Sequence, residues 1–284
     1  MRLTKWGLGS AAVLAIAALL SAAPLGEAWA NMPKPWDTGM QPAGNELKSR
    51  INDLHALVFW IITVITIFVG ALLVVVMVKF SAKKNPVPST TSHHTMLEIA
   101  WTVIPILILV VIAIPSFRLV FFLDRAQNPD MTLKVVAHQW YWEYAYPGEG
   151  DLAIESRMIR DEDLKPGQMR LLEVDNQVVV PVGKKIRILT NSVDVIHSFF
   201  IPALGVQRYA IPGRTIEAWM TVDKPGVYYG QCNQICGVDH SRMPIAVRAL
   251  PEAEYKAWVA QAKKAAGIPA TTQMADASAP DIRR

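Results

Sequence analysis

Tyr228-Tyr229-Gly230-Gln231-Cys232-Asn233-Gln234-Ile235-Cys236-Gly237-Val238-Asp239-His240-Ser241-Arg242-Met243-Pro244 decides how the rest of the chain is read. It holds both cysteines of the chain, with a histidine and a methionine close behind. Thiolate, imidazole and thioether are soft or borderline donors, a mixture that suits copper or another soft metal. A single copper of the blue type takes one cysteine, two histidines and a weak methionine. One thiolate is then left over, and its economical use is a second metal ion bridged by both sulfurs. Two cysteines in an exported chain are more often a disulfide, but a disulfide leaves His240 and Met243 without a role. A haem-attachment motif needs two residues between the cysteines and a histidine straight after. Here three intervene and Gly237 follows.

The loop is short of one nitrogen donor. Upstream, Asp194-Val195-Ile196-His197-Ser198-Phe199 ends a strand-rich stretch and supplies it. A lone histidine is more often packed or exposed than ligating. His197 stands out because small β-barrels commonly pair one upstream ligand with a ligand-rich loop near the C-terminal end.

The residues around these two segments read as short strands. Leu133 to Tyr146, Met169 to Val174, Lys185 to Thr190, Ile216 to Val222, Val227 to Tyr229 and Ile245 to Ala249 are rich in β-branched and aromatic residues. Turns at Pro166-Gly167, Pro181-Val182-Gly183, Pro212-Gly213 and Pro225-Gly226 separate them. Such a pattern predicts a sandwich or a small Greek-key barrel. Along the first strand Trp140, Trp142, Tyr144 and Tyr146 would share one face, packed inward or offered to a redox partner. Glu143, Glu149, Asp151, Glu155, Asp161, Glu162 and Asp163 follow, offset nearby only by Arg157 and Arg160. They read as a solvated acidic loop or as a patch that steers a basic partner. Pro251-Glu252-Ala253-Glu254 opens a helix to about Lys264, acids first and lysines last. Residues 267–284 have the composition of a disordered tail.

The N-terminal part is of another kind. Met1 to Ala30 reads as a secretory signal, with Arg2 and Lys5, an apolar run from Gly7 to Ala23, and Ala28-Trp29-Ala30 as cleavage site. Residues 31–53 are expected outside the membrane, extended at least to Ser49 by their prolines and glycines. Leu54 to Val78 is long and apolar enough to cross a bilayer. Lys79, Lys83 and Lys84 mark its inner side. Met96 to Leu123 crosses back, and Pro105 and Pro115 are tolerable in a membrane helix. Residues 54–123 are thus expected to form a hairpin, with 124–266 as an outer domain. The 52% hydrophobic content fits membrane segments. The net charge of +4 is spread out or sits beside those segments, which argues against nucleic acid. Glu98, at the inner start of the second span, is a functional candidate because acids are rare in membranes. Thr95-Met96-Leu97-Glu98 equally fits a helix capping box.

Five motifs carry a resemblance: Leu97-Glu98-Ile99-Ala100-Trp101-Thr102, His138-Gln139-Trp140-Tyr141-Trp142, Asp194 to Phe199, Ala210-Ile211-Pro212-Gly213-Arg214 and Cys232 to Pro244. Together they resemble subunit II of bacterial haem–copper cytochrome c oxidases, from the signal through about Ala249. The resemblance implies a membrane α-helical hairpin plus an all-β, cupredoxin-like Greek-key barrel holding two copper ions in a dinuclear, mixed-valence centre. It implies that Cys232 and Cys236 bridge both ions. His197 and Met243 match the ligands of one copper, and His240 and the backbone carbonyl of Gln234 those of the other. Trp140 matches the residue that receives electrons from cytochrome c, and Glu98 the acid at the mouth of a proton pathway. The implied partners are the haem-containing subunit I, where oxygen is reduced, then subunit III, cytochrome c and membrane lipid. The implied location is the bacterial inner membrane, with the copper domain and C-terminus on the periplasmic side.

Family members usually carry glutamate where this chain has Gln234, and that side chain helps hold magnesium at the contact with subunit I. A neutral amide is a weaker ligand for a hard cation, so magnesium is not expected to be held well here. Copper ligation through the backbone is untouched. Two alternatives remain. A quinol-oxidising relative with a metal-free structural barrel would lack the copper ligands, all of whose side chains are present. A membrane-anchored copper carrier needs neither two thiolates, nor the hairpin, nor the tryptophan strand.

Overall fold

The computed structural model describes residues 33–269 except 35, 88, 125 and 151. The export signal expected over Met1–Ala30 and the part of the tail beyond Pro269 lie outside the described residues.

Among the described residues two long helices come first, α1 (Glu46–Lys79) and α2 (Thr95–Asp124). Both are apolar along most of their length, and both have the length and hydropathy to span a membrane. α1 starts eight residues before Leu54, so the segment expected to be external and extended is helical from Glu46. Asn45 is the reason. Its Oδ1 accepts from Lys48 N–H at 2.8 Å, which caps the helix. Its Nδ2 donates to the carbonyls of Leu204 (3.0 Å) and Thr221 (2.8 Å). Next to it Gly44 N–H donates to Ala203 O at 2.8 Å. A Cβ on Gly44 would lie 2.6 Å from the Tyr228 ring. The first turn of α1 is therefore packed on the β domain, and Leu47 is buried there. The far end of the hairpin is tied to the same domain. Trp219 Nε1 donates to Phe122 O at 3.2 Å and Arg208 Nη2 to Leu123 O at 3.1 Å, which satisfies carbonyls that a helix end leaves orphaned.

Ten strands follow: β1 (Met131–His138), β2 (Tyr141–Ala145), β3 (Ala153–Ser156), β4 (Val178–Pro181), β5 (Ile186–Ser192), β6 (His197–Ile201), β7 (Val206–Ala210), β8 (Ile216–Met220), β9 (Gly226–Cys232) and β10 (Pro244–Leu250). They form two five-stranded sheets, β3-β2-β1-β5-β8 and β4-β10-β9-β6-β7. Facing side chains of both sheets make one core, including Trp142, Tyr144, Ile188, Phe199, Ile245 and Val247. This is the two-layer, cupredoxin-like β architecture.

Three expectations are corrected. The run 133–146 is two antiparallel strands, Ala137 opposite Trp142, joined by a tight turn at Gln139-Trp140. Trp142, Tyr144 and Tyr146 are buried in the core and Trp140 sits in the turn, half-buried. No shared aromatic face is left for a partner. Met169 to Val174 is a series of turns rather than a strand, with an isolated bridge from Val174 to Met158. Glu173 is buried there and accepts from Tyr229 Oη at 2.8 Å. After β10, α3 (Glu252–Ala265) docks Tyr255 and Val259 against Val179. Gly267 and Ile268, expected to open a disordered tail, close this helix by donating to Lys264 O and Lys263 O. Ile268 also packs on the core.

Candidate metal centre

Strand register builds the site. β6 and β9 run antiparallel with Phe199 opposite Cys232, so His197 at the start of β6 lies beside the end of β9. β9 and β10 pair as far as Gln231 and Pro244. Cys232 N–H then donates to Met243 O at 3.1 Å, which closes the intervening loop at its neck. Inside the loop Gln231 Nε2 donates to Ser241 O at 2.7 Å. Arg242 N–H donates to Asp239 O at 2.9 Å. Gly237 sits at φ 125°, a backbone state that glycine adopts without steric penalty.

The donor atoms form a compact cluster. His197 Nδ1 is 4.0 Å from Cys232 Sγ, the two sulfurs are 3.9 Å apart, and Cys236 Sγ is 3.5 Å from His240 Nδ1. Gln234 O is 3.4 Å from Cys232 Sγ. Both cysteines are free thiols, because a disulfide bond is about 2.05 Å long. Ligand atoms of His197, Cys232 and Cys236 all lie within 4.8 Å of one another. Met243 is buried at the loop's end within the same core. Its carbonyl also lies 3.5 Å from Trp142 Nε1, and the Trp142 ring stands edge-on to His197 beneath the site.

Asp194 orients His197. Its Oδ1 is 2.9 Å from Nε2 of the buried imidazole, so Nδ1 is the nitrogen that faces the sulfurs. A carboxylate behind a ligating histidine fixes its tautomer and direction. Asp194 also accepts from Val195 N–H and Gln139 N–H, each at 2.6 Å. Burial works to raise the Asp194 carboxyl, but His197 and these N–H groups hold it below its ordinary value. Burial works to lower His197, yet Cys232 and Asp194 raise it overall. At Cys232 burial opposes ionisation, while His197, Ser198 N–H, the Gln234 backbone and His240 bring the thiol down to about 7. Cys236 is pushed up to about 12 by burial and by its neighbour Cys232. Cys232 is thus the more readily ionised of the two thiols, and a metal must displace whatever protons the pair still holds.

The donors fit copper. Two thiols with no disulfide between them sit between two imidazoles, one held by a carboxylate so that its free nitrogen points inward. Soft sulfur with borderline nitrogen favours copper over hard cations.

Trp140 lies at the rim. Its Nε1 donates to Cys236 O at 3.2 Å. Glu98 is not brought to this cluster; it lies at the opposite end of α2, in the first turn. There His94 N–H donates to Glu98 Oε1 at 3.4 Å, and His94 Nδ1 accepts from Leu97 N–H at 3.3 Å. The expected cap is therefore shifted by one residue: His94 caps, and Thr95 is already helical.

Two acids of the run pair with cations from outside it, and others with the arginines inside it. Glu149 pairs with Lys263 at 2.7 Å and Asp161 with Arg170 at 2.7 Å, while Glu155 meets Arg157 at 2.8 Å. Reading the loop motifs alone also misses Asp194, Gln139 and Gly237 as parts of the site. For Asp194 the signal was its place three residues before His197. For the other two, no local signal shows that they meet across the fold.

Comparison with known proteins agrees with this architecture. Residues 131–250 match the family model described as cytochrome c oxidase subunit II, periplasmic domain. Residues 33–119 match that family's transmembrane domain. The chain is 47% identical over 238 residues to a probable cytochrome c oxidase subunit 2 of Rickettsia bellii (strain RML369-C), covering 84% of this chain and 88% of the relative. It is 45% identical over 232 residues to cytochrome c oxidase subunit 2 of Oenothera berteroana, covering 80% and 90%. Among solved structures, the periplasmic domain of subunit II of cytochrome oxidase (CoxB) of Bradyrhizobium japonicum is 47% identical. It aligns over 49% of this chain and 97% of its own, with a TM-score of 0.46.

Proposed function

The chain belongs to the cytochrome c oxidase subunit II family, and from that premise we propose how its residues take up an electron and pass it on. As a subunit of a haem–copper oxidase it serves the electron-receiving step of the complex. In our reading Cys232 and Cys236, with His197, Met243, His240 and the backbone carbonyl of Gln234, would hold two copper ions. The observation that carries this is the cluster His197, Cys232, Cys236 and His240, with separations of 4.0, 3.9 and 3.5 Å between successive members. When bound, the copper pair supplies a one-electron couple whose charge change is spread over two nuclei.

The protein supplies rigidity, direction and shelter. β6, β9 and β10 hold the donors in place whether or not charge has moved. Asp194 keeps His197 turned inward, and Trp142 and Phe199 keep water from the buried side. In this reading cytochrome c approaches the rim at Trp140, and the electron leaves toward haem in subunit I. We keep the domain plan read from the sequence: an export signal over residues 1–30, the hairpin in the inner membrane beside subunits I and III, and the β domain in the periplasm; the two membrane-length helices ahead of the β domain support its second and third parts. Lys79 at the end of α1, with Lys83 and Lys84 on the connecting loop, supports that orientation. We assign no magnesium ligand to the Gln234 side chain.

Replacing Trp140 with phenylalanine removes the indole N–H bonded to Cys236 O and shortens the ring. In the assembled oxidase, electron uptake from cytochrome c should slow at least about tenfold, since misplacement of about 1 Å in a reacting array is worth on the order of 100-fold. Stopped-flow mixing with reduced cytochrome c measures this, and unchanged uptake removes Trp140 from the route.

Glu98 we read as the inner mouth of a proton path. Glu98→Ala should lower steady-state turnover severalfold and leave single-electron uptake at the outer rim unchanged. Glu98→Ala oxidase with full turnover would leave the residue only its bond to His94 N–H.

A further inference from the structure

Gln139 belongs neither to the ligand set nor to the acidic run, yet it touches both halves of the centre. Its backbone N–H donates to Asp194 Oδ2 at 2.6 Å, on the carboxylate whose other oxygen holds His197. Its side-chain Nε2 donates to Cys236 O at 2.9 Å. The same oxygen receives the Trp140 indole N–H at 3.2 Å. A carbonyl oxygen has two lone pairs, so these two donors fill it. Gly237 closes the arrangement from the other side. A Cβ there would lie 2.8 Å from Trp140 Cζ2 and 3.2 Å from Gln139 Nε2.

We propose that Gln139 is a positioning residue for electron uptake: its amide anchors the Cys236 carbonyl and so fixes the Trp140 ring against the ligand loop. The inference rests on the role given to Trp140 above. One hydrogen bond holds the indole at a single point on an oxygen that belongs to a loop residue. The second donor, carried by the turn that also carries Trp140, ties that oxygen to the same rigid hairpin. The gap between ring and loop is then set by β1 and β2 rather than by the loop.

The test uses the assembled oxidase carrying Gln139→Met or Gln139→Glu. Both keep the side-chain length and neither can donate as the amide does. Four quantities are read: the copper electron paramagnetic resonance spectrum, the KM for cytochrome c, the rate of electron uptake, and the ultraviolet resonance Raman signature of the Trp140 indole, isolated by subtracting Trp140→Phe oxidase. The copper spectrum and KM should be unchanged. The uptake rate should fall about tenfold, within the range that small misplacements produce, and the indole signature should shift toward a weaker hydrogen bond. Wild-type uptake with an unshifted indole in both variants overturns the proposal. So does a raised KM at unchanged rate, which would make Gln139 a docking contact, or an altered copper spectrum, which would make it act through the ligands. Wild-type uptake in Trp140→Phe itself overturns the underlying role of Trp140, and this proposal with it.

Discussion

Cys232→Ser oxidase is expected to lose its outer-domain copper and to oxidise cytochrome c more than about 100-fold more slowly than the wild type. The loss should exceed the 10–100-fold seen when only a residue behind a metal ligand is removed. Cys232 is the residue on which the others converge: His197, Cys236 and the Gln234 carbonyl all lie within 4.0 Å of its sulfur. It is also the thiol brought down to about 7, mainly against burial and through His197 and neighbouring backbone. A serine hydroxyl is a hard donor that stays protonated at neutral pH and cannot bridge soft ions. The exchange is almost isosteric, so the sheets should form and the oxidase assemble. Metal analysis together with turnover decides it. Retained copper with turnover within a few-fold of wild type would show that Cys232 is not a ligand.

Gly230→Ala should be the most damaging single methyl group in the β domain. Gly230 lies in β9 opposite Ile245 of β10. On its other side, a Cβ would overlap the Phe200 carbonyl oxygen and come within 3.0 Å of Ile201 Cγ1. No rotamer change moves a backbone oxygen, so β6 must retreat from β9. That strand pair is what sets His197 beside Cys232. Overpacking a core costs about 1–3 kcal/mol and occasionally more, and a clash with backbone belongs at the upper end. A loss of about 3 kcal/mol corresponds to a drop in Tm of roughly 10 °C for a domain of this size. Copper affinity should fall as well, because the ligands on the two strands separate. A thermal melt of the oxidase followed at the copper signal measures both. An unchanged Tm with full copper would mean that β6 and β9 do not depend on each other as described.

The division of the chain was legible from residue types alone. Two long apolar runs, the first followed by lysines, and then short β-branched runs between Pro-Gly turns, correspond to α1, α2 and most of the sheets. The ligand loop was legible because its chemistry is compressed into neighbouring positions. What stayed hidden depends on contacts between distant segments. Asn45 begins α1 early because Leu204 and Thr221 accept from its amide, partners far along the chain. The turn at Gln139-Trp140 contains no glycine or proline, so two strands read as one, and nothing local decided whether the aromatic row faced the core or a partner. The acids at Glu149 and Asp161 looked unpaired because Lys263 and Arg170 reach them only in the fold. Gln139 and Gly237 carry no mark of a metal centre; their meaning lies in the bond to Cys236 O and in the absence of space beside Trp140.

The most direct test of the central claim is electron paramagnetic resonance of the oxidised oxidase assembled with this subunit, combined with a copper count. The proposed pair of coppers, which Cys232, Cys236, His197 and His240 would hold, predicts hyperfine structure from one unpaired electron shared equally by two copper nuclei, absent from Cys232→Ser enzyme. A mononuclear copper spectrum from this domain, or no signal that depends on Cys232 and Cys236, would contradict it.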